Sequence, residues 1–314
     1  MNNEIRSRMR KSSLISRLWN WVWSNLFFRQ WIVLVAPEIN KNRPLWDNFT
    51  PIFPPPDRFW ADPFVWVHKG KYFIFVEELL YVTGRGRIAC ITLDEQMKPI
   101  SNCVVLERTY HLSYPFLFEY ENQLYMLPET KKNSTIELYQ CTSFPKEWVL
   151  IKTLMSDISA VDSTLLEANG KWWLFTNISD RKNSDLNALY LYYAGHPISN
   201  QWTPHPQNPI ITDIKFTRPA GRIFLQNGNL IRPSQDCSRR YGYAINFSRI
   251  TSLTEFNYEE TYEWTIMPPK RTNILAAHTW NENEGLHVTD ALLYWWRLRN
   301  RKTSIYSQRP SLGR

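Results

Sequence analysis

One arrangement of polar and apolar positions recurs along this chain: an opening residue, a short apolar run, a two-residue turn, a second apolar run and a closing polar residue. Asp62 opens the first copy, which continues through Phe64 and Val65, turns at Lys69-Gly70 and returns through Phe73 and Phe75 to Glu77. Tyr114 to Glu129 turns at Glu121-Asn122, Asp162 to Asn177 at Asn169-Gly170, and Ala220 to Gln235 at Asn227-Gly228; the two ends lie 15 positions apart in all four copies. A fifth copy, from His278 through Glu284-Gly285 to Asp290, is three residues shorter. Apolar alternation on both sides of a tight turn predicts a hairpin. Starts spaced 52, 48, 58 and 58 residues apart leave room for a hairpin plus further strands, the unit of a propeller blade rather than of a helical solenoid. The predicted fold is all-β, a five-bladed β-propeller over residues 31–296, preceded by a short amphipathic helix.

Blades place equivalent residues at equivalent radii. If each opening residue stands at the axial end of an innermost strand, then Asp62, Tyr114, Asp162, the stretch Arg218 to Arg222, and His278 surround one funnel. The closing residues Glu77, Glu129, Asn177, Gln235 and Asp290 form a second ring beside them. Carboxylates in such a place are costly unless paired or used, so the set reads either as strand caps or as a site built from sequence-distant residues. The strand Trp31 to Val35 is expected to close the ring against the last blade. The run Pro54-Pro55-Pro56 is a stiff spacer that delivers Arg58 and Trp60 near Asp62.

Helical periodicity is confined to the beginning of the chain. Ile15, Leu18, Trp19, Val22, Trp23 and Leu26 fall on one stripe, with Arg17, Asn20 and Asn25 opposite. Residues 1–30 carry six Lys/Arg against Glu4, and residues 297–314 carry six with no acid. The chain's net charge is +8, so the body between sums to −3, and the basic excess belongs to the ends. That excludes a nucleic-acid footprint on the body. A basic helix with a Trp-lined face suits either an anionic membrane surface, contacted through residues 1–30, or the propeller rim. Polar interruptions argue against a spanning helix, and no small-residue cleavage site marks an export signal. The expected location is cytoplasmic, peripheral at the inner face of the plasma membrane. The basic segment 297–314 reads as a tail. Four scattered cysteines without a Cys-x-x-Cys pair read as reduced thiols. No metal constellation stands out, and no cofactor is predicted.

The strings Phe59-Trp60-Ala61-Asp62-Pro63-Phe64, Val161-Asp162-Ser163-Thr164, Arg218-Pro219-Ala220-Gly221-Arg222 and Arg232-Pro233-Ser234-Gln235-Asp236-Cys237, with Tyr241-Gly242 after them, resemble the N-terminal propeller domain of plant glucosamine inositolphosphorylceramide transferase. Stand-alone bacterial relatives of that domain accompany cell-surface polysaccharide synthesis. The domain is in turn similar to the five-bladed superfamily of arabinanases, levansucrases and invertases, whose funnels hold three carboxylates. Asp62 matches the first of these in its Trp-Ala-Asp-Pro setting; the Glu-Gly-Pro acid motif of that superfamily is absent.

Sugar transfer requires a carboxylate to activate a hydroxyl or attack the anomeric carbon, and an acid or cation to stabilise the leaving group. Asp62 is the expected base or nucleophile, with Asp162, Glu77 and Glu129 as partners. Where the leaving group is a phosphate, a cation serves in place of the acid; Arg218, Arg222 and Arg232 are the candidates, unless they pair with the carboxylates, and His278 assists. Arg58, Trp60, Tyr114, Gln235 and Asp290 complete the expected substrate contacts. The sequence thus implies transfer of a sugar from a nucleotide- or lipid-phosphate-linked donor to a glycan acceptor. A glycoside hydrolase and a non-catalytic glycan or assembly module are the alternatives.

Overall fold

The computed structural model describes residues 27–37, 46–180, 183–269 and 272–296. Five antiparallel sheets surround one axis. Blade 1 runs outward from Arg58–His68 through Lys71–Leu80 and Arg85–Leu93 to Pro99–Leu106. Blade 2 runs from Ser113–Tyr120 to Glu147–Ser156, and blade 3 from Ala160–Ala168 to Thr203–Pro204. Blade 4 has its innermost strand broken into Arg218–Pro219 and Phe224–Gln226, followed by Asn229–Asp236, Ala244–Leu253 and Tyr258–Ile266. In blade 5 the broken inner strand is Ile274–Ala276 and Trp280–Asn283, the next is Leu286–Trp296, and the two outer strands come from the start of the described chain, Phe27–Pro37 and Thr50–Ile52.

The ring therefore closes as the hydrophobic pattern predicts. Phe27–Pro37 lies antiparallel to Leu286–Trp296 along its whole length, from Phe27 opposite Trp296 to Pro37 opposite Leu286. The strand begins at Phe27, so residues 27–30, grouped by their sequence with the N-terminal segment, are strand. The expected helix stripe from Ile15 to Leu26 and the tail at 297–314 lie outside the described residues. Among the described residues, no helix is long and apolar enough to cross a membrane.

The five inner hairpins turn where the sequence places them. Both central residues of every turn have positive φ, from Lys69 and Gly70 at 50° and 70° to Glu284 and Gly285 at 45° and 80°. That is the type I′ geometry which matches strand twist and favours Asn-Gly. Apolar residues of each blade pack as wedges against the next. Phe75 meets Trp148 edge-on at 5.7 Å, Phe118 meets Trp172 at 5.4 Å, and Phe247 meets Trp280 edge-on at 6.0 Å. Trp172 and Trp173 are buried in these wedges. The four cysteines are free thiols, with Cys90 directly opposite Cys103 on the neighbouring strand of blade 1.

Candidate active site

The opening residues of blades 1 to 3 share one backbone device. Ala61 pairs with Glu77, Ser113 with Glu129 and Val161 with Asn177; in each blade the register then shifts before pairing resumes two or three residues on. The residue after each of these pairs, Asp62, Tyr114 and Asp162, sits at φ 50°, 44° and 52°. A left-handed tyrosine is unusual, and such conformations persist only where the surroundings over-determine them. The irregularity re-aims one side chain per blade toward the axis and brings Glu77, Glu129 and Asn177 alongside.

Blades 4 and 5 reach the same level with broken inner strands. Gly221 has φ 132°, and a Cβ there would lie 2.0 Å from the Trp280 carbonyl, so no other residue fits. The amide of Gly221 donates to the Tyr114 hydroxyl at 2.8 Å, and that hydroxyl lies 2.8 Å from Thr164 Oγ1. Tyr114 thus ties blade 2 to blades 3 and 4 and is fully buried. Its role is that of a plug across the axis, and its ring is closed to sugar stacking.

Asp62, 4 % exposed, is held from three sides. Its Oδ1 accepts from Thr279 Oγ1 at 2.9 Å and lies 3.5 Å from His278 Nε2, while Oδ2 accepts from the Tyr114 amide at 3.2 Å. Asp290 accepts from the amides of His278, Thr279 and Asp62 at 2.8, 3.2 and 3.1 Å. Its Oδ2 is 2.5 Å from His278 Nδ1, an ion-pair contact whose angle falls short of a hydrogen bond. Burial pushes the Asp62 carboxyl up to about 7; Asp162, Glu77 and Asp290 add to the rise, and His278 opposes it. Burial works against a charged His278, but Asp290 and Asp62 outweigh it and raise the imidazole to about 9. Asp62, His278 and Asp290 each offer a ligand atom within 4.8 Å of the others. The three could hold a metal ion with the imidazole deprotonated; with it protonated, His278 lies between the two carboxyl groups as their counter-charge.

On the opposite side of the axis, Asp162 Oδ2 accepts from Arg218 Nε at 2.5 Å and from Gln235 Nε2 at 2.9 Å. Asp162 Oδ1 and Gln235 Oε1 are buried without a donor among the described residues. Arg218 also stacks over the Tyr241 ring at 5.0 Å. Glu129 stands in the field of Asp162, Arg218, Asp62 and Lys131. Burial, then Asp162 and Asp62, drive its carboxyl well above the usual range against the pull of Arg218 and Lys131. It is partly open to solvent, unlike Asp62 and Asp162. Next to it a cavity of about 200 Å³ opens at the funnel mouth, lined by Lys131, Asn177, Thr217, Arg218, Cys237 and Tyr241 among others. Glu77 completes the ring on the blade 1 side, with His111 Nε2 3.2 Å from its Oε1.

Four sequence-predicted residues stand elsewhere. Arg58 and Trp60 point to the other side of blade 1, where Arg58 Nη1 and Trp60 Nε1 bind the two oxygens of Glu78 at 3.1 and 3.0 Å, with Arg87 beside them. The shifted register after Ala61 separates them from Asp62, which an unbroken strand would place on their face. Arg232 is buried within blade 4 in a two-point pair with Glu260, both contacts 2.7 Å, and donates to the Phe216 carbonyl. Arg222 lies deeper along the axis, its Nη2 on the Leu117 carbonyl at 2.6 Å and its guanidinium 5.2 Å from the Phe116 ring. Burial lowers it to about 10. The ring that the structure does bring together is Asp62, Glu77, Glu129, Asp162, Arg218, Gln235, His278 and Asp290. Sequence reasoning missed Lys131, Thr279 and His111, and passed over Tyr241 as a site residue; Lys131 was within reach, two residues after a closing position.

Residues 52–291 match the family described as glucosamine inositolphosphorylceramide transferase 1, N-terminal. The chain belongs to this family. It is 39 % identical over 209 residues to the glucosamine inositolphosphorylceramide transferase 1 of Oryza sativa subsp. japonica and 34 % identical over 214 residues to that of Arabidopsis thaliana, in each case over 65 % of this chain. It spans 28 % and 27 % of those relatives' own lengths. Among solved structures, the GH32 β-fructofuranosidase of Bombyx mori superposes with TM-score 0.54 at 12 % identity, covering 74 % of this chain and 55 % of that one. A GH43_1 enzyme from Xanthomonas citri gives 0.53 at 10 % identity over 79 % and 90 %. At such identities these likenesses establish the shared five-bladed fold.

Proposed function

We propose that this propeller takes part in transfer of a sugar from a phosphorylated donor, with the cavity beside Glu129 receiving the donor. The observation that carries the reading is a half-buried carboxyl at Glu129, raised above the usual range, in the field of two cations, Arg218 and Lys131, that line one cavity. Glu129 can give its proton to a leaving oxygen, and the cations hold the phosphate as its charge develops. Asp162 positions Arg218, and its proximity raises the Glu129 carboxyl. Asp62, raised to about 7, is poised to accept a proton at neutral pH through the His278 and Asp290 cluster. The unpaired acceptors Asp162 Oδ1 and Gln235 Oε1 match hydroxyl donors, with which a sugar is dense. The name of the plant relatives supports a transferase context; a role in bacterial cell-surface polysaccharide assembly is part of the proposal.

The test is saturation-transfer NMR of the purified chain with nucleotide sugars, polyprenyl-phosphate sugars and neutral oligosaccharides, alongside turnover assays. Binding of a phosphorylated donor should weaken about tenfold in Arg218→Ala and in Lys131→Ala, the second variant leaving Asp162 paired. Glu129→Gln should retain binding and lose about 100-fold or more in turnover. Release of sugar from a neutral oligosaccharide, with no donor bound, would instead make the protein a glycoside hydrolase. Neutral glycan binding without turnover would make it a binding module.

A further inference from the structure

The propeller has two unlike ends. At the turn end, the inner hairpins expose Glu119, Glu121, Glu167 and Glu284 against Lys69 and Lys71. At the mouth end, where the cavity opens, the connections expose Lys132, Lys215 and Arg239. Of the exposed carboxylates there, Asp57 is paired with Arg58 and Glu107 with Arg85 and Arg87, Asp213 accepts from the Lys215 amide, and Asp157 stands on the turn between blades 2 and 3. Apolar side chains stand among these cations: Val82 is 90 % exposed on the turn after Lys71–Leu80, with Tyr81 beside it, and Ile214 and Tyr241 stand on the cavity's own rim.

The seam strands point the same way. Phe27 and Trp296, the paired ends of blade 5, are at the mouth end, four residues from Trp31, which stacks on His278 at 4.3 Å. The segments before Phe27 and after Trp296 therefore leave the fold side by side, about 13 Å along the strand from the funnel wall. Residues 1–26 hold five Lys/Arg against Glu4, and residues 297–314 hold six with no acid. The described chain thus begins at Phe27 and ends at Trp296 on the end that carries an exposed basic and apolar rim, and the sequence beyond both points is basic. Anionic lipid attracts such clusters, and apolar tips insert among its headgroups.

We infer that the mouth end of the propeller is a docking face for an anionic phospholipid bilayer, oriented so that the cavity opens onto the headgroup layer. Resting on the proposed function, this docking makes the phosphorylated substrate a lipid-linked one, reached from the membrane rather than from solution.

The experiment is co-sedimentation of the full chain with vesicles of phosphatidylcholine alone, or of one part phosphatidylglycerol to two parts phosphatidylcholine. The comparison is with a Lys132→Glu/Lys215→Glu/Arg239→Glu variant, a Val82→Asp variant and a turn-end Leu225→Asp/Phe256→Asp control, all at exposed positions. The expected result is salt-sensitive binding to the anionic vesicles only, weakened roughly tenfold to a hundredfold by the triple change and less by Val82→Asp, and untouched by the control. Equal binding by the triple variant, loss in the turn-end control, or equal affinity for neutral vesicles would overturn the inference. Adding a polyprenyl-phosphate sugar to the vesicles, or a nucleotide sugar to the buffer, separates the two readings. Donor binding without docking overturns the docking face and leaves the proposed function standing. Docking without donor binding does the reverse.

Discussion

Blades 1 to 3 and blades 4 to 5 solve the same geometric problem differently. In the first three an irregularity at one fixed register turns a single residue toward the axis, and the blades contribute acids: Asp62, Glu77, Glu129 and Asp162. In the last two the inner strand is interrupted and the axial cations arise beside the break, Arg218 and Arg222 in blade 4 and His278 in blade 5. The break frees backbone amides, and those of His278 and Thr279 are taken by Asp290. An uneven ring of charge follows, acids on one arc and cations with Asp290 on the other; Asp62, Asp162 and Asp290 each have a cation or hydrogen-bond donors at hand, and Glu129 stands in the field of Arg218 and Lys131.

The sharpest way to break this arrangement is at the interruption itself. Gly221→Ala, whose methyl would meet the Trp280 carbonyl, should destabilise the fold by more than about 4 kcal/mol, read as loss of the urea transition or of soluble protein. Next is the contrast between the arginines of blade 4. Arg232→Ala strands Glu260 in the interior and should cost about 3–5 kcal/mol in urea unfolding, whereas Arg218→Ala, at a partly open site, should register mainly in donor binding.

The pH dependence tests the cluster of blades 1 and 5. His278 is raised from 6.5 to about 9, so its stabilising contribution is fully present below pH 6.5 and is lost as pH rises through about 9. Asp62 is raised from 3.8 to about 7, so its protonated form also favours the folded state at low pH, and that contribution fades as pH rises through about 7. Thermal melts should therefore show stability falling between pH 6.5 and 9, by up to about 3 kcal/mol from the imidazole, and His278→Gln should flatten that slope. The smallest effect belongs to the plug. Tyr114→Phe leaves the Gly221 amide without its acceptor and should cost about 1–2 kcal/mol, with faster hydrogen exchange at Gly221 as the readout.

The repeat that predicts the blades was legible because strand pairing demands it. A fixed 15-residue offset keeps Glu77, Glu129 and Asn177 opposite the residue before each axial position. The fifth copy reads three residues short, while blade 4, with its inner strand also broken, keeps the 15-residue offset; in blade 5 Asp290 spans the gap with its carboxylate. The proline spacer does bring Arg58 and Trp60 close to Asp62 along the chain, but the register shift after Ala61 turns their side chains to Glu78 instead. Arg232 stands an odd number of residues from Gln235, and plain alternation already sends it to the other face of its strand. Tyr114 reads as a funnel residue in contact with substrate from its position in the pattern; only the crossing of the axis to Thr164 and Gly221 shows it to be a plug. The cation arc depends on breaks in strands, which a hydrophobic period cannot announce.

The seam in blade 5 also sets the order of assembly. Phe27–Pro37 is made early during synthesis, yet its partner Leu286–Trp296 is separated from it by more than two hundred residues. Blades 1 to 4 are local in sequence and can form as they emerge, while the first-made strand waits with an unpaired edge. The final blade is therefore a clasp fastened last, and since His278 and Asp290 belong to it, their cluster with Asp62 comes into being only when the ring is shut.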